Sequence, residues 1–194
     1  MGPPNRRGGS AATLVEPPPR SDVRGAEYLL HVKVLGIDPG TAACGYGIVH
    51  GSGGRLRALG AGCWRTSARE PLDTRLLTIF EGVQALLAEH EPDAVAIEES
   101  YVGADARIAL SVGQARGAVL VAAASAGVDC VQYAPAHVKQ ALCGYGRAEK
   151  AQMTRMVSIV LSLDAEPASS HEADALAVAI CHALAPPRLV EAVR

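Results

Sequence analysis

Residues 34–49 read Val34-Leu-Gly-Ile-Asp38-Pro-Gly-Thr-Ala-Ala-Cys-Gly-Tyr-Gly-Ile-Val49. Val32, Val34, Leu35 and Ile37 form a short apolar run that stops at a Pro39-Gly40 turn signal, the pattern of a largely buried strand. Asp38 stands at the end of that run. A carboxylate this close to apolar neighbours has to be hydrogen-bonded, paired or metal-bound, because an isolated buried charge is very costly. Cys44 to Val49 resumes as a second, glycine-rich strand, so 32–49 is expected to form a β-hairpin with Asp38 near its bend. Taken alone, Asp38 fits a turn-capping role as well as a chemical one.

Working outward, residues 55–65 alternate well enough to make a third antiparallel strand. Residues 71–90 switch to helical spacing, with Leu72, Leu76, Ile79, Val83, Leu86 and Leu87 on one face and Pro71 suited to the first turn. The run Asp93-Ala-Val-Ala-Ile-Glu98 returns to a buried strand and ends in a second carboxylate. A loop with Tyr101 and Gly103 follows, then a helix from about Arg107 to Ala126. Gly113 and Gly117 share one face of that helix. Each glycine costs about 1 kcal/mol against alanine inside a helix, so the pair points to a close backbone approach. A fifth strand is expected over Val128–Tyr133, then helices over Pro135–Leu142, Ala148–Leu163 and Ser170–Leu184. Three antiparallel strands followed by alternating helix and strand make an α/β fold with a five-stranded mixed sheet.

The 194 residues suit one domain with an extension. Residues 1–27, rich in Pro, Gly and Arg, lack the apolar content to order themselves and are expected to be a disordered tail. Residues 28–186 form the domain and 187–194 a C-terminal tail. Net charge is −2, so no global basicity announces a nucleic-acid binder, although binding depends on where charges cluster. The five cysteines contain no Cys-x-x-Cys pair and read as reduced thiols of a cytoplasmic protein. The apolar segment 118–126 is too short to span a membrane, and none is expected as a partner.

Three spots carry metal-capable groups: Asp38, Glu98, and the pair His171/Asp174 on the last helix. Ser169-x-x-Glu172 reads as a capping box opening that helix, which leaves His171 and Asp174 at i, i+3 on one face. An oxygen-rich set of this kind suits Mg²⁺ or Mn²⁺ better than zinc. Two such ions about 3.5–4 Å apart serve phosphodiester hydrolysis.

The strings Gly36-Ile-Asp-Pro-Gly, Ala96-Ile-Glu, Gly113-Gln-Ala-Arg-Gly, Val138-Lys-Gln, Ala148-Glu-Lys and Ala173-Asp-Ala-Leu-Ala together resemble, in order and spacing, the RuvC family of bacterial Holliday-junction resolvases. The resemblance runs over roughly residues 32–185. It implies a ribonuclease H-like fold, a homodimer, and paired nicking of four-way DNA junctions that depends on Mg²⁺ or Mn²⁺, two ions per site. It also implies the branch-migration proteins RuvA and RuvB as partners. Carried over by position, the catalytic and metal-binding set is Asp38, Glu98, His171 and Asp174. Some family members have Asp where this chain has His171, and an imidazole, which must be neutral to ligate, favours Mn²⁺.

Tyr101 matches an aromatic position that stacks on a base near the junction centre. Lys139 and Lys150 match lysines near the active-site phosphate, and residues 137–155 hold Lys139, Arg147, Lys150 and Arg155 against one acid, Glu149. Between Tyr101 and Ile108 the chain departs from the pattern: Asp105 would repel phosphate, while Arg107 restores a contact. Glu99 is expected on the opposite sheet face from Glu98 in a solvated or DNA-flanking role, Glu172 as a cap, and Cys181-His182 as incidental packing.

Three other readings compete. Asp38-Pro-Gly-Thr41 is similar to the phosphate loop of actin-like and sugar-kinase ATPases, but those need two such domains, more than this length supplies. A DNA-binding module without cleavage would have lost a ligand, and all four positions are metal-capable. A nuclease of the same superfamily with another branched or single-stranded substrate is the third.

Overall fold

The computed structural model describes residues 31–99 and 106–185. Five strands and five helices follow in the order β1 (His31–Asp38), β2 (Ala43–Ser52), β3 (Arg55–Arg65), α1 (Leu72–His90), β4 (Ala94–Glu98), α2 (Ala106–Ser125), β5 (Asp129–Tyr133), α3 (Pro135–Cys143), α4 (Lys150–Leu161) and α5 (Ser170–Leu184). Every expected element is present. The expected tails at 1–27 and 187–194, with Tyr101 and Asp105, lie outside the described residues. The helix expected from Ala148 begins instead at Lys150, because Glu149 has extended backbone at the N-cap, and it stops where Ser162 turns left-handed at φ 52.

The sheet order is β3-β2-β1-β4-β5. β1 is central, antiparallel to β2 and parallel to β4, which is parallel to β5. Gly53 and Gly54, both at positive φ, join β2 to β3 in the two-residue turn that matches the twist of a hairpin. Period-two alternation splits the strands between two cores. Leu35, Ile37, Ile48, Val95 and Ile97 face α1 and α2, meeting Ile79, Val83, Ala115 and Val119. Val32, Val34, Val49, Ala96, Val131 and Tyr133 face α3, α4 and α5.

α5 is apolar nearly all round, with Ala175 to Ala183 buried without a break, and it lies directly on β1 and β2. Glycine makes that approach possible. A Cβ at Gly36 would strike the Ala175 carbonyl, and one at Gly45 would strike the carbonyl of His171. α2 differs. Its buried stripe is Ala115, Val119, Ala122 and Ala123, while Ile108, Leu110 and Val121 stay exposed. Gly113 and Gly117 meet nothing within 4 Å, so the close approach expected there is not made among the described residues. α2 is also long and apolar enough to cross a membrane by length and composition alone, which the shorter window 118–126 did not reveal.

Candidate active site

Parallel pairing of β1 with β4 aligns Ile37 with Ile97, so Asp38 and Glu98 leave adjacent strands at the same edge of the sheet. Both follow the alternation of Val34 and Ala96 and point to the α5 side. α5 starts there. Ser169 accepts a hydrogen bond from the Glu172 N–H at 3.2 Å, as the expected capping box requires, while the Glu172 carboxylate accepts from the N–H of Ala168 at 3.1 Å, one residue before the N-cap. This fixes the first turn and delivers His171 and Asp174 to the carboxylates. The loop after Asp38 is itself pinned: Thr41 is buried, its hydroxyl bonds Ser111 of α2, and its carbonyl accepts from the Thr66 hydroxyl.

Two side-chain pairs result. His171 Nδ1 lies 2.7 Å from Asp38 Oδ2, and Lys150 Nζ donates to Asp174 Oδ2 at 2.8 Å. Glu98 shares a cleft of about 270 Å³ with Pro135, Val138, Lys139, Lys150, Met153, Asp174 and Ala177. The carboxylates feel one another. Burial, then the charges of Asp174 and Asp38, push the Glu98 carboxyl up to about 7, against the pull of Lys150 and Lys139. Burial raises Asp38 as well, with the His171 hydrogen bond acting against it. The Lys150 ammonium is shifted up, chiefly by its bond to Asp174.

Three carboxylates and an imidazole, two of the acids raised chiefly by burial, are a donor set that could hold a divalent cation. As they stand, no three His, Cys, Asp or Glu side chains among the described residues converge to ligating distance. His171 is hydrogen-bonded to Asp38, and Asp174 is turned onto Lys150, whose ammonium partly neutralises a charge a metal would otherwise neutralise.

The structure therefore pairs Asp38 with His171 and gathers Glu98, Asp174, Lys139 and Lys150 around one cleft, and the charges of Asp38 and Asp174 both act on Glu98. Arg107 is exposed in the first turn of α2 and is not among the cleft-lining residues. Glu99 is exposed, as expected, its N–H donating to the Tyr133 carbonyl at 2.7 Å.

The family model for crossover junction endodeoxyribonuclease RuvC matches residues 34–182. The chain belongs to the RuvC family. A RuvC relative from Desulfitobacterium hafniense is 48% identical over 150 residues, covering 77% of this chain and 91% of its own. One from Heliobacterium modesticaldum is 51% identical over 148 residues, 76% of this chain and 91% of its own. Among solved structures, Thermus thermophilus RuvC in complex with a Holliday junction substrate superposes with a TM-score of 0.76 at 44% identity, over 79% of this chain and 93% of that one. The yeast mitochondrial resolvase Ydc2, at TM-score 0.57 and 11% identity over 81% and 82% of the two chains, shares the fold. The sheet order and its flanking helices are the ribonuclease H-like arrangement of these RuvC and resolvase structures.

Within this site, strand ends and helical spacing singled out Asp38, Glu98, His171 and Asp174, while Lys139 and Lys150 were raised only by the family resemblance. The sequence reading missed a buried pair. Cys181-His182 is not incidental: His182 is wholly buried and pairs through Nδ1 with the Tyr133 hydroxyl at 2.9 Å. A histidine inside the unbroken apolar run of α5 was the signal available.

Proposed function

We propose that this chain is a structure-selective endonuclease that resolves four-way DNA junctions by paired, symmetric hydrolysis of phosphodiester bonds, in homologous recombination and DNA repair. The observation that carries the reading is the meeting of Asp38 and Glu98, from adjacent strand ends, with His171 and Asp174 from the first turn of α5. It agrees with the 44% identity to the RuvC chain solved with a Holliday junction substrate.

Asp38, Glu98, His171 and Asp174 are the residues that would hold Mg²⁺ or Mn²⁺, two ions per site. Such ions, when bound, supply a water activated near neutral pH and charge stabilisation for the leaving oxygen. The chain's own groups do the rest. Lys139 and Lys150, flanking Glu98 across the cleft, bind non-bridging oxygens of the scissile phosphate and orient it. Asp174 exchanges its bond to Lys150 when substrate enters, freeing the ammonium for phosphate. His171 holds Asp38 in place until then. Tyr101 stacks on a base near the branch point, and Arg107 contacts the backbone of an arm.

Symmetric nicking calls for two sites, and α2 is the surface for a homodimer. Ile108, Leu110 and Val121 are exposed on it, and Gly113 and Gly117 leave room for a second helix. The protein works in the cytoplasm, with RuvA and RuvB as branch-migration partners. The test is cleavage of three substrates by the purified chain with Mg²⁺ or Mn²⁺: a four-way junction, a fork and a linear duplex. Opposed nicks in the junction alone are expected. Equal cutting of fork or duplex would overturn the selectivity.

A further inference from the structure

The buried Tyr133 hydroxyl and His182 Nδ1 form a hydrogen-bonded pair at 2.9 Å. Tyr133 belongs to the same apolar cluster as Val138, Met153 and Ala177, which line that cleft with Glu98, Lys139, Lys150 and Asp174. Three contacts make Tyr133 a junction between the elements that carry the site. In the β4–β5 ladder it is the partner of Glu98, and its carbonyl accepts the N–H of Glu99 at 2.7 Å, so it holds the strand end from which Glu98 projects. Its ring packs on His137 of α3, the helix of Lys139, with centroids 5.6 Å apart. Its hydroxyl pairs with His182 of α5, the helix of His171 and Asp174, and the two rings meet edge-on at 82°.

His182 is an expensive residue for this place. It has no exposed surface, and its Nε2 finds no partner among the described residues, although a leucine would fill an apolar helix face without that penalty. Burial lowers its pKa to about 4, so the ring is neutral at working pH and offers the tyrosine a hydrogen bond rather than a charge. A directional bond does what apolar packing does not: it fixes how far α5 sits along the sheet relative to the end of β4 and β5.

We propose that Tyr133, through its hydrogen bond to His182, is a positioning residue that sets the separation of Glu98 from Asp174 and so the metal-ligating geometry of the cleft. The inference rests on the metal-dependent reading of the site given above.

The test uses the full chain and two readouts. The first is Mn²⁺ binding to the protein without DNA, followed by the electron paramagnetic resonance of free Mn²⁺. The second is the single-turnover cleavage rate on a four-way junction, with junction affinity measured separately. Tyr133→Phe keeps the ring and removes the hydroxyl. It is expected to weaken Mn²⁺ binding about fivefold and slow cleavage about tenfold, in line with loss of a group that orients ligands, while junction affinity stays within about twofold. His182→Leu should reproduce both deficits, and the double variant should add nothing further. His182→Asn, whose amide oxygen falls where Nδ1 was, should retain most of both. Ile79→Val, in the core on the other side of the sheet, serves as a control for lost stability alone. Tyr133→Phe with unaltered Mn²⁺ binding and rate would overturn the proposal. So would deficits in Ile79→Val equal to those of Tyr133→Phe at matched stability. Should the wild-type chain fail to cut junctions, the reading of function falls, while Mn²⁺ binding still decides the positioning role.

Discussion

His171 Nδ1 stands 2.7 Å from Asp38 Oδ2 across 133 residues of sequence, joining the first strand to the last helix at the point where chemistry is expected. The contact gives an acid whose pKa burial raises a hydrogen-bond partner that favours its charged form. It also brings an imidazole nitrogen, rather than a fourth carboxylate, to the donor set, and from that the metal preference follows.

His171→Asp replaces a borderline-soft nitrogen with a hard oxygen. The ratio of cleavage rate in Mg²⁺ to that in Mn²⁺ is expected to rise about tenfold. Rates in both metals over a pH series, for both forms, check it. A variant poorly active in either metal would assign His171 to proton handling instead, and an unchanged ratio would leave it without a ligand role.

Glu98 makes stability depend on pH and on metal. Its carboxyl is raised from 4.5 to about 7, so between those values the folded chain binds a proton that the unfolded chain has released. Stability from this group is fully present below about 4.5 and is lost as pH rises through about 7, and Asp38, raised too, acts in the same direction. Without metal, chemical denaturation should show stability falling by on the order of 2 kcal/mol across that window. Mn²⁺ should restore it at pH 7.5, and Glu98→Gln should flatten the profile. A stability independent of pH over this range in the metal-free wild type would contradict the account.

Gly45→Ala places a methyl group against the His171 carbonyl, so the first turn of α5 must move away from β2. The expected cost is about 1–3 kcal/mol in stability, with a cleavage rate at least about tenfold lower. Gly60→Ala is the comparison, since its Cβ would meet only Ile48 at an ordinary 3.6 Å. Thermal melts and single-turnover rates for the two variants give the answer.

Gly117→Leu tests the dimer surface without disturbing the fold. None of the described residues lies within 4 Å of a Cβ there, and leucine is the better helix former by about 0.8 kcal/mol, so the monomer should remain folded. Sedimentation should then show monomers, and the two nicks should lose their concert. A dimer that sediments unchanged would exclude this face of α2.

Much of this was legible in the sequence, for identifiable reasons. The alternation in β1 and the 3.6-residue spacing in α1 are local patterns, and each matched the element that formed. Asp38 and Glu98 were legible because each closes an apolar strand, and Asp174 because it stands at i, i+3 from His171 on a helix opened by a capping signal. Contacts between distant residues were not. No spacing reveals that Lys150 meets Asp174, or that Tyr133 and His182, 49 residues apart, share a hydrogen bond. Gly36 and Gly45 looked like features of a hairpin, when their function is to let α5 lie on the sheet. The start of α4 was missed by two residues because a capping conformation, at Glu149, is not a pattern in composition.

The central claim is that Asp38 is needed for hydrolysis and not for recognition. The direct measurement is single-turnover nicking of a four-way junction at saturating Mg²⁺ by wild type and Asp38→Asn, with junction affinity taken on the same preparations. The wild-type chain should cut two opposed strands symmetrically. Asp38→Asn should bind the junction within about twofold and cut it more than about 100-fold more slowly, because an amide cannot neutralise a divalent ion. Near-normal nicking by Asp38→Asn would contradict the account.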